Sequence, residues 1–172
     1  GNNKALVMPV QGYPSRGVDK PINESNLRGS KESFTDVGRK NMGMIRRRIR
    51  SKNLVVKTIQ IGSKTKTEIT VYYHTDYCSQ EMADKILDKI KEIDLPVVME
   101  SGYIAPFIDD TKGSVFQAVG YTERPDTLCA KICEGKIGIM VDGTPFAMYY
   151  PAFFHENFIT NDDYTQRPYF AS

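Results

Sequence analysis

Apolar positions recur every three or four residues in three parts of the chain, and each part predicts a helix. The first predicted helix covers residues 30–50, with Ser30 as its N-cap. The second follows an N-cap at Ser79, and the third begins at Pro125 and ends before a left-handed cap at Gly135. The apolar face of the first helix consists of Phe34, Val37, Met42, Ile45 and Ile49.

Runs of β-branched and aromatic residues predict the strands, and two pairs of runs are joined by short turns. Residues 62–66 connect one pair, and Asp142-Gly143, a dipeptide suited to positive backbone angles, connects the other, so both pairs are predicted hairpins. A short helix disturbed by Pro106 is predicted at 101–109. The predicted strands are an edge strand at 5–10 and strands at 54–61, 67–73, 96–99, 116–121, 137–141 and 146–150.

The order of these elements limits the fold class. Helices interleave with strands, whereas hairpins require antiparallel neighbours. The pattern therefore predicts an α/β or α+β fold, with a mixed β-sheet, two antiparallel hairpins and three to four packed helices. We expect residues 1–160 to form a single domain and the polar residues 161–172 to be a connection leading away from the sheet.

Composition and charge exclude several classes of protein. The 172 residues carry 23 basic and 21 acidic side chains, a balance that argues against nucleic acid as a partner. The arginine run at 46–50 could clamp phosphates, but cations are common on the solvated last turn of a helix. No run approaches the roughly 18 apolar residues of a membrane helix, and the start has no signal-peptide core. Because Gly1 stands where a complete chain has methionine, we expect a piece of a longer protein.

The residues that most often carry chemistry do not form a catalytic or metal-binding pattern. Cys78, Cys129 and Cys133 are odd in number and predict no disulfide; the last two share a helical face and are predicted to be small core residues. His74 and His155 are predicted to be surface or rim residues, and a dyad of Cys78 with His74 is weakly supported. The glycines form no phosphate-binding loop. The sequence thus predicts no enzyme activity, no cofactor and no metal.

Two polar features call for a structural explanation. Asn41 falls on the apolar face of the first helix, so we expect its side chain to bond a backbone group. Glu123, Arg124, Pro125 and Asp126 concentrate charge at the entry to the third helix. One interpretation is a capped helix entry whose ions pair locally. Our hypothesis is that the arginine is held by carboxylates and braces this loop.

Short motifs, spread in order over nearly the whole chain, resemble the A subunits of the GerA family of bacterial spore germinant receptors. The string Thr-Glu-Arg-Pro-Asp at 122–126 is the most specific of them. The others are Asn3-Lys4-Ala5-Leu6, Arg16, Pro21, Arg28-Gly29, Glu32, Phe34, Asn41, Ile45-Arg46-Arg47-Arg48-Ile49, Gly62, Thr65, Thr67, Glu134-Gly135-Lys136, Asp142-Gly143-Thr144-Pro145, Pro151, Phe153, Asp163-Tyr164 and Arg167.

The resemblance implies a function that the residues alone do not. It implies a cytosolic N-terminal domain that precedes membrane helices, lies on the cytoplasmic (spore core) side of the spore inner membrane and reaches the membrane through a C-terminal region absent here. It also implies nutrient sensing and signal transduction that trigger germination, with B and C receptor subunits as partners and a homo-oligomer of A subunits as a further assembly. An earlier subdomain usual in the family is missing here.

The alternative function is a stand-alone small-molecule, or nutrient, binding module, for which the sequence assigns no ligand-binding residue. The resemblance assigns a structural or functional role to a set of motif residues. They are Glu123, Arg124, Pro125, Asp126, Asn41, Asp142 and Gly143.

Overall fold

The computed structural model describes residues 32–109 and 118–152. The predictions at 5–10 and 161–172, together with those for Ser30 and His155, lie outside these residues. In chain order the described elements are α1 (Gly38–Arg48), β1 (Leu54–Ile61), β2 (Thr67–His74), α2 (Gln80–Lys91), a 3-10 helix (Ser101–Tyr103), α3 (Ala105–Ile108), β3 (Gly120–Thr122), α4 (Pro125–Cys133), β4 (Ile137–Val141) and β5 (Ala147–Tyr150).

The strands form one sheet in the order β1-β2-β4-β5-β3, and every described pair is antiparallel. The fold is α+β, which is one of the two predicted classes. The described sheet is antiparallel rather than mixed, for a topological reason. Strands β3 and β4, joined through α4, run in the same direction, but β5 lies between them and pairs with both. The two parallel strands therefore never meet.

Helices cover both faces of the sheet, and the alternation of side chains along the strands determines which helix meets which face. Val71 and Tyr73 in β2 pack under α2 and α3, whereas Tyr72 packs under α1 and α4. The second layer includes Phe34, Ile45, Ile49, Leu128, Ile132, Met140, Ala147 and Tyr149. The chain thus builds two hydrophobic cores on one sheet.

Elements with local signals form as predicted. The Ser79 hydroxyl accepts a hydrogen bond from the backbone N–H of Met82 at 3.2 Å, which confirms the N-cap of α2. Both hairpins are present, and Gly143 adopts a φ of +88° in the second turn. Pro125 opens α4 and Gly135, with a φ of +89°, follows its end. The helical stretch predicted at 101–109 is divided into the 3-10 helix and α3, with Pro106 near the start of α3.

Three of the predicted elements differ from the structure in their bounds or do not form. Helix α1 begins at Gly38 because residues 33–35 are not helical, and the N–H of Phe34 instead bonds the carbonyl of Glu123. It ends at Arg48 rather than at residue 50, because Ile49 is extended. Residues 96–99 form no strand; they bond the β1–β2 turn instead, through contacts such as the N–H of Lys64 to the carbonyl of Pro96 at 2.9 Å. In the strand predicted at 116–121, the described residues 118 and 119 are not part of a strand, and β3 begins at Gly120.

Candidate functional site

Arg124 lies almost fully buried at the entry to α4, with 1% of its surface exposed. Its Nε donates to Oδ1 of Asp126 at 3.1 Å, and its Nη2 donates to Oδ2 of the same carboxylate. This is the two-pronged geometry that the guanidinium favours and that a lysine ammonium cannot copy. The predicted pairing of Arg124 with a carboxylate is therefore present in the structure.

The local backbone explains why the Asp126 carboxylate can accept hydrogen bonds from both the Arg124 side chain and the backbone. Pro125 occupies the first helical position, where a missing N–H costs no helical bond. Oδ1 of Asp126 also accepts from the N–H of Thr127 at 3.0 Å, near the positive end of the α4 dipole. The N–H of Arg124 in turn donates to the hydroxyl of Thr122 at 3.1 Å. Side chain and backbone together fix the turn from β3 into α4.

Glu123 connects this turn to the chain segment that precedes α1. Its carbonyl oxygen accepts the N–H of Phe34 at 2.9 Å and the hydroxyl of Ser33 at 3.2 Å. All three residues are buried. The residue next to Arg124 in the sequence thus binds a segment about 90 positions earlier in the chain.

Asn41 fixes the same segment from the helix side. Its Oδ1 accepts the N–H of Thr35 at 2.9 Å, and its Nδ2 donates to the carbonyl of Thr35 at 2.6 Å. The amide is buried, with 1% exposure, and both of its polar atoms are bonded. This confirms the expectation that Asn41 bonds a backbone group, and it shows why a polar residue occupies the apolar face.

Asp142 and Gly143 hold the start of α1 from the second hairpin. Oδ1 of Asp142 accepts the N–H of Gly38 at 2.8 Å, and the N–H of Gly143 donates to the carbonyl of Asp36 at 3.0 Å. A carboxylate at this position caps a free N–H and faces the positive end of the helix dipole. Val37, the residue in the N-cap position, makes no side-chain cap of its own.

These contacts meet on one segment, residues 33–41, and we call the set the α1 brace. It comprises the bonds of Phe34 to Glu123, Thr35 to Asn41, Gly38 to Asp142 and Asp36 to Gly143. Arg124, Pro125 and Asp126 support it from behind by fixing the turn that carries Glu123. The structure therefore brings all seven predicted motif residues to one region.

A buried cluster of charged residues lies beside Tyr149 and was not predicted from the sequence. The ammonium groups of Lys131 and Lys136 lie 5.4 and 5.5 Å from the centre of the Tyr149 ring, and both side chains are buried. Lys131 Nζ is 3.4 Å from Oε2 of Glu134. The ring itself covers Gly120, where a Cβ would come within 2.2 Å of it. Two sequence features could have indicated this cluster: the motif Glu134-Gly135-Lys136, and Gly120, a glycine within a predicted strand.

The predictions for histidine and cysteine are partly wrong. His74 is buried rather than at the rim: its Nε2 bonds the Ser51 hydroxyl at 2.9 Å and its ring stacks on Tyr77. Cys129 is buried as predicted, but Cys133 is exposed. The cysteines are free, as expected in the described part of the chain.

The cysteines lack the electrostatics of nucleophiles. Burial raises the pKa of Cys78, and it raises the pKa of Cys129 to about 12. The two ring nitrogens of His74 contact Ser51 and the N–H of Asp76. A raised thiol pKa opposes formation of the thiolate, which is the reactive form. The Cys78–His74 dyad thus gains no support.

The arginine run at the end of α1 is divided between two environments. Arg47 and Arg48 both bind the carboxylate of Glu32, while Arg46 and Arg50 are exposed. Their bonds lower the pKa of Glu32, the hydrogen bond from Arg47 being the largest cause.

Within 32–109 and 118–152, no group of three acidic, histidine or cysteine side chains is arranged to hold a metal ion. Nor is any helix in those ranges long and apolar enough to cross a membrane.

Comparison with known proteins places these features in a family. The family model described as "Bacillus/Clostridium GerA spore germination protein" matches residues 1–172. The chain belongs to the GerA spore germination family. This confirms the resemblance found in its motifs.

Individual GerA-family proteins are similar over nearly all of this chain. "Uncharacterized membrane protein YfkQ" of Bacillus subtilis is 38% identical over 97% of the chain, which covers 33% of that protein. "Spore germination protein KA" of the same species is 35% identical over 97% of the chain, covering 31% of its length. The chain spans about a third of these curated relatives.

A solved structure agrees in fold. The N-terminal domain of the A subunit of the Bacillus megaterium spore germinant receptor GerK3 is 36% identical, with a TM-score of 0.56. The alignment covers 71% of this chain and 97% of that domain.

Proposed function

We propose that this chain is the N-terminal domain of a germinant receptor A subunit and acts in the signalling that starts spore germination. The observation that carries the proposal is the similarity to the GerK3 A-subunit domain, 36% identical across 97% of that domain. Residues 1–160 would form the domain, and residues 161–172 would lead toward a membrane region. In the full-length protein the domain lies on the cytoplasmic side of the spore inner membrane.

In this proposal the domain transmits a nutrient signal through assembly, with B and C subunits as partners and a homo-oligomer of A subunits as a further assembly. The α1 brace supports such a role because it links the start of α1 to two turns that are distant in sequence. Phe34 bonds the β3–α4 turn and Gly38 bonds the β4–β5 turn. A displacement of either turn would therefore act on α1.

The proposed role is non-enzymatic. The buried motif residues bond one another and the backbone rather than pointing to a common reaction centre, as in the pair of Arg124 with Asp126. The thiols of Cys78 and Cys129 have raised pKa values, opposite to an activated nucleophile.

The test is made in spores that carry the full-length receptor with Arg124→Ala. If the arginine braces the fold, receptor abundance by immunoblot and the germination rate fall together. Normal abundance with a shifted nutrient dose response would contradict the brace and indicate a ligand contact. Lys57→Ala, which removes an exposed cation on β1, serves as the control and should leave both measurements unchanged.

Calorimetry separates this proposal from a stand-alone nutrient-binding module. The 172-residue chain is titrated with amino acids and sugars. We expect no heat of binding, because the proposed domain works through its assembly. Saturable binding by the isolated chain would favour the module instead.

A further inference from the structure

The exposed side of α1 is strongly basic. The helix carries five basic residues and no acidic residue between Gly38 and Arg48, and Arg50 follows two positions later. Arg39, Gly43 and Arg46 are exposed and lie four and three residues apart, so they share one side of α1. Arg50 is exposed two residues beyond the end of the helix. We call these four residues together the basic stripe.

The charge of the basic stripe is not neutralised by the described residues. No carboxylate among them lies within salt-bridge distance of Arg39, Arg46 or Arg50, whereas Glu32 binds the neighbouring Arg47. Helix α2, on the opposite face of the sheet, carries three acidic and three basic residues between Gln80 and Lys91. The excess positive charge of the helices is thus concentrated on the α1 side.

Gly43 in the middle of the basic stripe has no internal explanation. A Cβ built there meets no atom within 4 Å, and its backbone angles are not in the left-handed region. Glycine destabilises the middle of a helix relative to alanine. Its presence is explained if the helix surface lies close against something outside the domain.

We propose that the basic stripe docks α1 onto an anionic phospholipid surface. Arg39 and Arg46 lie about 10 Å apart along the helix axis, and with Arg50 they are complementary to a layer of lipid phosphates. The absence of a side chain at Gly43 lets the helix approach that layer closely. Because the apolar face of α1 is buried in the domain core, the attraction would be electrostatic, at about 1 kcal/mol for each basic residue near the surface. The inference rests on the proposed position of the domain beside a membrane, and a relative sharing 38% identity bears the name of a membrane protein.

One observation favours lipid over nucleic acid. The basic stripe contains no aromatic side chain on which bases could stack.

The experiment is co-sedimentation of the 172-residue chain with vesicles of phosphatidylcholine alone or with 30 mol% phosphatidylglycerol (roughly a bacterial anionic content). We expect binding to the anionic vesicles only, and weaker binding as salt rises. The triple variant Arg39→Gln, Arg46→Gln, Arg50→Gln should bind on the order of 100-fold more weakly, at roughly fivefold for each basic residue. The triple variant Lys57→Gln, Lys64→Gln, Lys91→Gln removes the same charge elsewhere and should bind like the wild type.

A second pair of variants tests the basic stripe without removing an arginine. Gly43→Glu places a negative charge at its centre, and Gly43→Gln fills the same space without charge. We expect the first to weaken vesicle binding severalfold more than the second, with both chains folded by circular dichroism.

Three results would overturn the inference: equal binding to neutral and anionic vesicles, equal losses in the two triple variants, or binding to a DNA duplex at salt concentrations that abolish vesicle binding. Failure here concerns the basic stripe alone. The germination and immunoblot assay of Arg124 variants tests the proposed function separately.

Discussion

Asp142 caps a helix that begins 104 residues before it: its carboxylate accepts the N–H of Gly38 at 2.8 Å. The helix thus obtains from a distant hairpin turn the acceptor that Val37, its own N-cap residue, does not supply.

Replacing Asp142 tests this cap. Asp142→Ala removes both the acceptor and the charge and should lower the free energy of unfolding by about 1 kcal/mol, while Asp142→Asn keeps an acceptor and should cost less. Urea denaturation measures both changes. Asp94→Ala, which removes an exposed carboxylate without a helix-capping contact, should have little effect. An equal loss in the alanine variants of Asp142 and Asp94 would contradict the cap.

Two glycines of α1 should respond in opposite ways to alanine. A Cβ at Gly38 would lie 2.9 Å from Oδ1 of Asp142, so Gly38→Ala must displace the capping carboxylate and destabilise the fold. At Gly43 the same change meets no atom within 4 Å and should stabilise the fold by about 0.5–1 kcal/mol. Melting temperatures measured side by side check the difference in sign. If both variants are more stable than the wild type, Gly38 is not constrained by Asp142.

The Arg124–Asp126 pair should contribute strongly because the guanidinium is buried. Arg124→Ala removes a buried side chain and takes from Asp126, which is about one-third exposed and also accepts the Thr127 N–H, its charged partner; it should cost about 3 kcal/mol. Arg124→Lys keeps the charge but loses the two-pronged geometry, so it should lie between the alanine variant and the wild type. Chemical denaturation gives the order of the three proteins. A lysine variant as stable as the wild type would show that charge alone is required.

The pKa of Glu32 predicts a pH dependence. Hydrogen bonds from Arg47 and then Arg48 hold this pKa below its usual value of 4.5. The folded state therefore binds the Glu32 proton less readily than the unfolded state, and the stabilisation is present above pH 4.5 and lost as the pH falls through the lower folded pKa. Glu32→Gln should destabilise the chain at about pH 6. At about pH 3, where more of the wild-type carboxyl group is protonated, the same change should destabilise the chain less.

Unfolding curves of the wild type and Glu32→Gln at both pH values measure this dependence. The Glu32 side chain is one-third exposed, so solvent reduces the effect. Glu92→Gln, at an exposed position on the other face of the sheet, is the control. A difference between wild type and Glu32→Gln that does not change with pH would rule out the ion pair as its source.

Elements whose signals are local could be predicted from the sequence. Ser79 caps the helix that immediately follows it, and Gly135 and Gly143 occupy left-handed positions in the turns where they stand. The start of α1 could not be predicted in this way. The spacing of apolar residues continues back through Phe34, but Phe34 reaches the core from a non-helical segment that is bonded to Glu123, a residue distant in sequence.

The candidate site shows the same division. The pairing of Arg124 with Asp126 spans two residues and follows from their chemistry, and Asn41 follows from its place on an apolar face. The convergence of both on one segment depends on tertiary structure. The burial of His74 could not be predicted for a related reason: its partner Ser51 lies in the loop between α1 and β1, and tertiary structure brings it to the end of β2.

The position of β5 between β3 and β4 bears on the order of events during synthesis. An emerging chain that ends before Asp142 contains all of α1 but neither its capping carboxylate nor β5, the strand that joins β3 to the rest of the sheet. Among the described helices, α1 is therefore synthesised first and is among the last to acquire its native contacts. Nascent chains of increasing length should gain resistance to proteolysis near Gly38 only once the second hairpin has emerged.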